Sequence, residues 1–312
     1  MAHETNSPAA ARPDGQTADE MVVVVGATGA LGQAVVRRLA PHYTVLAVAR
    51  SAEALAELSG AVPGIRTEVA DAADDGFVAQ VEARLDRPVR LALFAAGLSI
   101  AGSLDAIAPS DLARAVDLKV GGTVRLLHAV RDHLAPEARF VAVAGSLGFE
   151  PGPMDAGPGT VNAALANVMR QLSQLYGPRG VVTHTIAPGP LDTPRLRALA
   201  ERRAQESGRT ADEVYAEYVA KTSAGRLPTV EDVAWLVETL LDPHAAALHG
   251  SDADRLGILL AAAGTGPGHR RDDRHDRDGR EQRDRLAPPP LEHRDVEGDA
   301  EGQALVQRLI DV

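Results

Sequence analysis

The chain has 312 residues, 45% of them hydrophobic, so it is long enough to bury a large core. Its formal net charge of −11 argues against nucleic acid or an anionic membrane surface as the main partner. Because it contains no cysteine, disulfides, thiolate metal ligands and cysteine nucleophiles are excluded. Residues 1–20 lack the layout of a signal peptide, and no apolar run reaches membrane-spanning length. We therefore expect a cytoplasmic protein that does not enter a membrane.

The strongest local signal is a run of four valines at 22–25, followed at once by the small-residue turn 26–32. Four valines in a row are typical of a strand buried on both faces in a parallel sheet. Residues 33–39 then continue with helical periodicity. A strand, a glycine turn and a helix in this order can bind a diphosphate, because the free N–H groups of the new helix face the anion. The stretch therefore predicts a nucleotide site.

Apolar runs alternate with amphipathic stretches along the rest of the chain, which predicts a parallel sheet with right-handed crossovers. The fold class we expect is α/β, a doubly wound Rossmann-type sheet of six to seven strands with helices on both faces. One further apolar stretch, 256–261, is a candidate for the seventh strand. The other predicted strands are 21–25, 44–49, 65–70, 89–95, 138–144 and 181–187. The predicted helices are 30–40, 51–59, 74–86, 110–134, 159–176, 194–205, 210–221 and 230–241.

The two ends of the chain differ in composition from the middle. Residues 1–20 are polar without periodicity and are expected to be a disordered leader. Residues 21–262 form the expected folded domain. Residues 263–312 alternate arginines with acids around three prolines. Such a segment cannot bury enough apolar surface to offset its ordering entropy, so we expect a low-complexity tail.

Four motifs follow one another along residues 21 to about 250, at 25–32, 71, 94–97 and 186–194. In this order they resemble the motifs of the short-chain dehydrogenase/reductase family. Segment 25–32 fits the family's turn Thr-Gly-x-x-x-(Gly/Ala)-x-Gly, with Val25 in place of threonine. Asp71 matches the acid that touches the adenine ring. Segment 94–97 matches Asn-Ala-Ala-Gly with phenylalanine in place of asparagine, and 186–194 resembles the Pro-Gly-x-x-x-Thr segment that holds the nicotinamide amide.

The resemblance implies a nicotinamide dinucleotide cofactor. A carboxylate after the second strand would repel a 2′-phosphate, but this chain has Arg50 and Ser51 there. An arginine can pair with that phosphate, so we favour NADP, with NAD as the alternative if Arg50 is only a solvated residue at a helix start. The implied cofactor-binding residues are Gly26, Thr28, Ala30, Leu31, Gly32, Arg50, Ser51, Asp71, Ala95, Ala96, Gly97, Pro188, Gly189 and Thr193.

The residues that perform the family's chemistry are replaced in this chain. Reductases of the family use a tyrosine as general acid, a lysine four residues later, a serine that orients the substrate and an asparagine in a proton relay. Alignment on segment 162–165 places Pro158 at the tyrosine and Asn162 at the lysine. The serine falls on Gly145 or Ser146. Loss of a positioned general acid typically costs ~10²–10⁴ in rate.

The asparagine of the family falls on Lys119, with Asp117 as an alternative. Lys119 is one of only two lysines, and it could protonate an oxygen or stabilise an enolate if burial lowered its pKa. The alternative is a surface lysine. Ser146 could orient a carbonyl or be an ordinary loop hydroxyl. The candidate catalytic residues are therefore Ser146, Lys119 and Asn162, and no spacing suggests a metal site.

His184 lies in the sixth predicted strand, where the family pattern usually has asparagine. We interpret it as a structural side chain with its hydrogen bonds satisfied.

Three functions remain open at this point. The first is an NADP-dependent oxidoreductase acting on the carbonyl or hydroxyl of a small molecule with non-standard catalytic residues. The second is a non-redox enzyme on the same scaffold, such as a dehydratase, isomerase or cyclase of secondary metabolism. The third is a non-catalytic NADP-binding partner or sensor. The resemblance also implies a homodimer or homotetramer assembled through helices 110–134 and 159–176, whose small residues allow close approach.

Overall fold

A computed structural model of the protein describes residues 19–98, 100, 102–220, 222 and 224–250. The expected tail and the candidate strand at 256–261 lie outside these residues, as does nearly all of the expected leader. The strands are β1 (Met21–Val25), β2 (Thr44–Ala49), β3 (Arg66–Val69), β4 (Val89–Phe94), β5 (Leu134–Val143) and β6 (Val182–Ile186). The helices are α1 (Ala30–Leu39), α2 (Ala52–Ala61), α3 (Phe77–Glu82), α4 (Pro109–Val116), α5 (Gly122–Val130), α6 (Ala156–Tyr176), α7 (Pro194–Ser207), α8 (Ala211–Ala220) and α9 (Val230–Thr239).

The six strands form one sheet in the order β3-β2-β1-β4-β5-β6, and every neighbouring pair is parallel. The strand order reverses between β1 and β4, at the middle of the sheet. In open α/β sheets, ligands bind outside the carboxyl ends of the strands at such a point. The expected doubly wound fold is confirmed, and the glycine turn after β1 lies at the predicted position.

The valine run explains why β1 lies at the centre of the sheet. Its five residues are at most 2% exposed, and successive side chains point to opposite faces. Val23 and Val25 pack with α3, α5 and α6 on one face. Val22 and Val24 pack with α1, α2 and α9 on the other. Burial of a valine on this scale is worth about 1.5–3 kcal/mol, so both faces contribute to stability.

The helix predicted over 110–134 is present, but it is irregular in its middle and ends earlier than predicted. Helix α4 ends at Val116, a π-helical segment follows over Asp117–Gly121, and α5 ends at Val130. The hydroxyl of Thr123 donates to the Lys119 carbonyl oxygen at 2.7 Å, inside the irregular turn. At Gly122 a Cβ would lie 2.8 Å from Cζ of Phe94, so the helix can approach β4 this closely only through a glycine. A prediction from the spacing of apolar residues does not detect a π segment. The segment inserts one residue into the helix and changes the apolar pattern little.

Strand β5 begins at Leu134 rather than at the predicted 138, and its first half is irregular. Glu137 has a φ of 55°, and the register with β4 shifts between Val89 and Leu91. After this irregularity the fully buried Arg139 donates to the carbonyl oxygens of Leu240, Glu137 and Asp242 at 2.6, 2.6 and 3.0 Å. Its guanidinium therefore fixes the C-terminal end of α9 against the sheet.

His184 is buried, but the hydrogen bonds that we predicted for it are missing. The residue is 4% exposed in β6, and neither ring nitrogen has a hydrogen-bond partner among the described residues. Burial, with smaller contributions from the Arg139 and His249 charges, lowers the pKa of His184 from 6.5 to about 4. The neutral ring is therefore the native form, and protonation opposes folding.

None of the helices in the described ranges is long and apolar enough to cross a membrane.

We predict that His184 makes the protein sensitive to mild acid. An unfolded chain protonates this ring near pH 6.5, whereas the folded chain does so only near pH 4. Below pH 6.5 the unfolded state therefore binds more protons than the folded state, and the free energy of unfolding decreases as the pH is lowered. Between pH 7 and 5 the loss is about 2 kcal/mol in the free energy of unfolding. Urea denaturation at both values measures it.

His184→Leu should flatten this pH dependence, while His128→Leu, at an exposed position of α5, should leave it unchanged. Parallel pH dependences for the wild type and His184→Leu would contradict the prediction.

Candidate active site

The turn after β1 contains two glycines, Gly26 and Gly32, that leave no room for a side chain. Gly26 has a φ of 83°, and a Cβ there would lie 2.7 Å from the backbone nitrogen of Ala96. A Cβ on Gly32 would lie 2.2 Å from the Gly26 carbonyl oxygen. The turn is held to the sheet because Gly26 N–H donates to the Val48 carbonyl at 2.9 Å. The backbone of the turn therefore lies directly against the ends of β2 and β4.

Helix α1 begins at this turn with its first N–H groups available to a ligand. Gly29 is the N-cap residue, and no side chain caps the helix. The Gln33 side chain donates instead to the Thr28 carbonyl at 2.9 Å, which fixes the turn from inside. The ten-residue helix has no acid in its first turn. Free N–H groups and the positive end of the helix dipole together favour a phosphate group.

Arg50 and Ser51 follow β2, next to the turn. Arg50 is exposed and, in the part of the chain that the structure describes, makes no ion pair. The Ser51 hydroxyl accepts a hydrogen bond from Ala54 N–H at 3.1 Å and so caps α2. A guanidinium next to a helix start is a suitable partner for a phosphate monoester.

The other expected cofactor residues lie at the same carboxyl edge of the sheet. The Asp71 carboxylate accepts the Ala73 N–H at 3.0 Å, and its loop follows β3. Ala95 N–H donates to the Val25 carbonyl at 2.9 Å, which places segment 95–97 against the glycine turn. The Pro188 carbonyl accepts from Ser146 N–H at 3.1 Å. Thr193 caps α7 through Leu196 N–H at 3.3 Å.

Two features of this edge suit a dinucleotide. Gly26 and Gly32 keep two positions of the turn free of side chains, and the exposed Arg50 adds a positive charge after β2. Within the described ranges, no group of histidine and acidic side chains is arranged to hold a metal ion.

Lys119 lies in the π segment and reaches across to β5 and α6. Its Nζ donates to the Ala144 carbonyl oxygen at 3.1 Å and to Oδ1 of Asn162 at 2.6 Å. Asn162 is 6% exposed, and a Cβ on Gly145 would lie 2.6 Å from its Nδ2. Only a glycine therefore leaves room for the Asn162 amide at the end of β5.

The partly buried ammonium of Lys119 is unusually acidic. Burial lowers its pKa from 10.5 to about 8, and the positive charge of Arg195 lowers it further in the same direction. An ammonium with this pKa is charged at neutral pH but can give up its proton at moderate cost. Lys119 is therefore not the solvated surface lysine of the alternative interpretation.

Ser146 and Pro158 flank this pair. Ser146 begins a short 3₁₀ turn after β5, and its hydroxyl makes no hydrogen bond among the described residues. Helix α6 begins at Ala156, three residues earlier than predicted, with Pro158 in its first turn. A proline is tolerated there because the N–H groups of a first turn have no helical acceptor. It offers no hydroxyl where the family resemblance expects a tyrosine.

Lys119 and Asn162 are in direct contact at two positions to which the resemblance assigns other side chains. The family resemblance expects an asparagine at Lys119 and a lysine at Asn162. This chain has one amine and one amide at the same two positions in reverse, and they are in direct contact. The positive charge therefore comes from Lys119 in the π segment between α4 and α5 rather than from α6.

Arg195 is a residue that the sequence reasoning missed. It is the second residue of α7, and its Nη2 donates to the Leu98 carbonyl at 3.5 Å. Its position after the Thr193 cap was the one sequence feature that could have indicated a functional role. Arginines at exposed helix starts are common, so this feature is weak evidence. The contact between the segments after β4 and β6 appears only in three dimensions.

Helices α5 and α6 form an apolar groove on the face away from the sheet. Leu175 is 60% exposed there, and the groove is lined by Thr123, Val124, Leu127, Val168, Gln171, Leu172 and Leu175. The groove lies on the two helices through which the resemblance implies assembly. Pairing of copies there stays a prediction.

Comparison with known proteins identifies the family. The family described as enoyl-(acyl carrier protein) reductase matches residues 26–254. The short-chain reductase protein NovJ of Streptomyces niveus is 29% identical over 262 residues, covering 78% of this chain and 95% of that protein. The cis-4-hydroxycyclohexanecarboxylate dehydrogenase of Sinomonas cyclohexanicum is 26% identical over 247 residues, covering 75% and 94%.

Solved structures show the same fold. A short-chain dehydrogenase family protein from Francisella tularensis superposes with a TM-score of 0.67 at 20% identity, covering 74% of this chain and 94% of that one. YwfH, described as an NADPH-dependent reductase involved in bacilysin biosynthesis, gives 0.68 at 16% identity, covering 75% and 97%. With the family match across most of the described residues, this chain belongs to the short-chain dehydrogenase/reductase family.

Proposed function

We propose that this protein is an NADP-dependent oxidoreductase that reduces a carbonyl group of a small molecule, with Lys119 as the proton donor. The observation that carries the proposal is the Lys119 ammonium, held by Asn162 at 2.6 Å with a pKa of about 8. Family membership supports the redox class. The glycine turn and the uncapped start of α1 support a dinucleotide at the same edge of the sheet.

Bound NADPH would supply the hydride, and its binding would fall to Gly26, Gly32, Arg50 and the start of α1. The chain's own contribution is the proton and the orientation of the substrate. The Lys119 ammonium has three N–H groups, of which two donate to Ala144 and Asn162. The third is free to donate to a carbonyl oxygen and to pass its proton as negative charge develops there. Ser146, whose hydroxyl is unengaged among the described residues, is the second proposed donor to that oxygen.

The choice of NADP rests on Arg50. No carboxylate follows β2 to bind the ribose hydroxyls of NAD, and the Arg50 guanidinium is exposed and without an ion pair in the described chain. Proteins of similar fold include the NADPH-dependent YwfH and a xylitol dehydrogenase solved with NAD⁺. The fold therefore does not distinguish the two cofactors, and we base the choice of NADP on Arg50.

Arg50→Ala tests the cofactor choice. A charge-assisted pair with the 2′-phosphate is worth about 1.5–3 kcal/mol, so NADPH affinity should fall ~10–100-fold. NADH lacks this phosphate and serves as the internal control, since its affinity should change little. Fluorescence titration of the reduced cofactors measures both. Equal losses for NADPH and NADH would contradict the assignment.

Lys119→Met tests the proton donor. Removal of a general acid should lower kcat/KM for NADPH-dependent reduction ~10²–10⁴-fold, measured over a panel of cyclic ketones and β-keto esters. In the wild type the ammonium is the active form, so kcat/KM should be flat near neutral pH and fall as the pH rises through about 8. A rate that rises with pH, or that survives Lys119→Met, would contradict the role.

Two controls separate this role from a structural one. Lys221→Met removes the only other lysine of the sequence and should leave the pH profile unchanged. The double exchange Lys119→Asn with Asn162→Lys restores the family's arrangement of one amine and one amide. It should retain more activity than either single change, because the single variants hold two amides or two amines in contact.

A second candidate function is a nicotinamide-binding subunit without reduction of its own. Pro158 favours it, because the position that the resemblance assigns to the tyrosine has no ionisable group. This candidate predicts saturable NADPH binding and no consumption of NADPH with any carbonyl compound, in the wild type as in Lys119→Met.

A further inference from the structure

The Lys119 ammonium has no negatively charged partner among the described residues. Both of its acceptors, the Ala144 carbonyl and the Asn162 amide oxygen, are neutral. The charge that acts on it most is positive and belongs to Arg195. The two side chains contact the ends of neighbouring strands, Lys119 at the Ala144 carbonyl after β5 and Arg195 at the Leu98 carbonyl after β4. Two cations at the same edge of the sheet without a counter-ion repel each other.

Arg195 is likewise without a carboxylate in the described part of the chain. Its one hydrogen bond goes to the Leu98 carbonyl at 3.5 Å, which is long and neutral. Its exposed guanidinium, at the start of α7, therefore keeps most of its five N–H donors free. The contact with Leu98 places it across the sheet edge, between the segments that follow β4 and β6.

Two acidic side chains of the loops that follow β5 and β6, Asp155 and Asp192, have partners of their own. Asp192, three residues before Arg195, pairs with Arg197 at 3.1 Å. The Asp155 carboxylate accepts Gly152 N–H at 2.9 Å within its own loop. The whole chain has 43 acidic and 32 basic residues, so an uncompensated pair of cations at one edge runs against its overall charge. A bound anion would supply the missing partner.

We propose that Arg195 and Lys119 together form a subsite for a carboxylate-bearing substrate, so that the compound reduced is a keto acid. Arg195 binds the carboxylate with its planar pair of N–H donors, and the substrate carbonyl oxygen faces Lys119. The inference rests on the proposed function for its placement at the active site, but anion binding is measured without turnover.

The test uses benzoate and benzamide, two probes of nearly the same shape that differ in charge. Calorimetric titration of the full chain, with and without NADPH, should give saturable binding of benzoate and much weaker binding of benzamide. Arg195→Gln should weaken benzoate at least ~10-fold, because charge-assisted hydrogen bonds are lost. Arg202→Gln, the same change at an exposed position of α7, should leave it unchanged.

A second readout follows Lys119 directly. In protein labelled with ¹³C-lysine, Lys221→Arg leaves one lysine, so the remaining side-chain signal reports the titration of Lys119. Benzoate should raise the pKa of Lys119, whereas benzamide should not. Arg195→Gln alone should also raise it, since a neighbouring positive charge is removed.

Each other outcome is decisive. Equal binding of benzoate and benzamide, or equal losses in Arg195→Gln and Arg202→Gln, overturns the subsite. Binding of inorganic phosphate without binding of benzoate overturns the carboxylate assignment. NADPH consumption that shows no preference for anionic ketones removes this inference and leaves the proposed function. Benzoate binding that depends on Arg195, without any turnover, supports the subsite and contradicts the proposed function.

Discussion

The close approach of the glycine turn to the end of β4 is the constraint on which the rest of the structure depends. A Cβ at Gly26 would lie 2.7 Å from the backbone of Ala96, so only glycine lets β1 and β4 end side by side. That contact lies where the strand order reverses. The turn can then start α1 without a side-chain cap on its N–H groups. The end of β4 also receives α5 closely, because a Cβ at Gly122 would lie 2.8 Å from Cζ of Phe94. Two glycines therefore set how closely the turn and the helix that follows Lys119 approach β4.

The positive charge of the candidate site comes from a different helical segment than the family resemblance implies. In the arrangement that the family resemblance implies, an amine on α6 acts beside a tyrosine. Here Pro158 occupies the position that the resemblance assigns to the tyrosine. The amine is that of Lys119 in the π segment, where it contacts Asn162. Partial burial keeps the Lys119 pKa near the range useful for proton transfer. The absence of a carboxylate partner, among the residues described, leaves this amine and Arg195 available to an anionic ligand.

Much of the fold could be predicted from the sequence because buried parallel strands have a strong pattern. The valine run gave β1 its correct bounds and central position, and the motifs after β2, β3 and β6 fell at the carboxyl edge. The contacts that define the candidate chemistry could not be predicted. Lys119 and Asn162 are 43 residues apart, and their hydrogen bond depends on a π segment that interrupts an otherwise regular helical period. The ring of His184, which has no hydrogen-bond partner among the described residues, likewise depends on neighbours from other elements.

The most direct test of this account is a calorimetric titration of the full chain with NADPH, in the wild type and in Ala30→Asp. An acid at the first position of α1 favours the helix, but it places a negative charge where the diphosphate would bind. We expect saturable one-to-one binding in the wild type. We also expect a loss of at least about 100-fold in Ala30→Asp, with no loss in Ala211→Asp at the first position of α8. No heat with NADPH in the wild type, or equal affinity in Ala30→Asp, would contradict it.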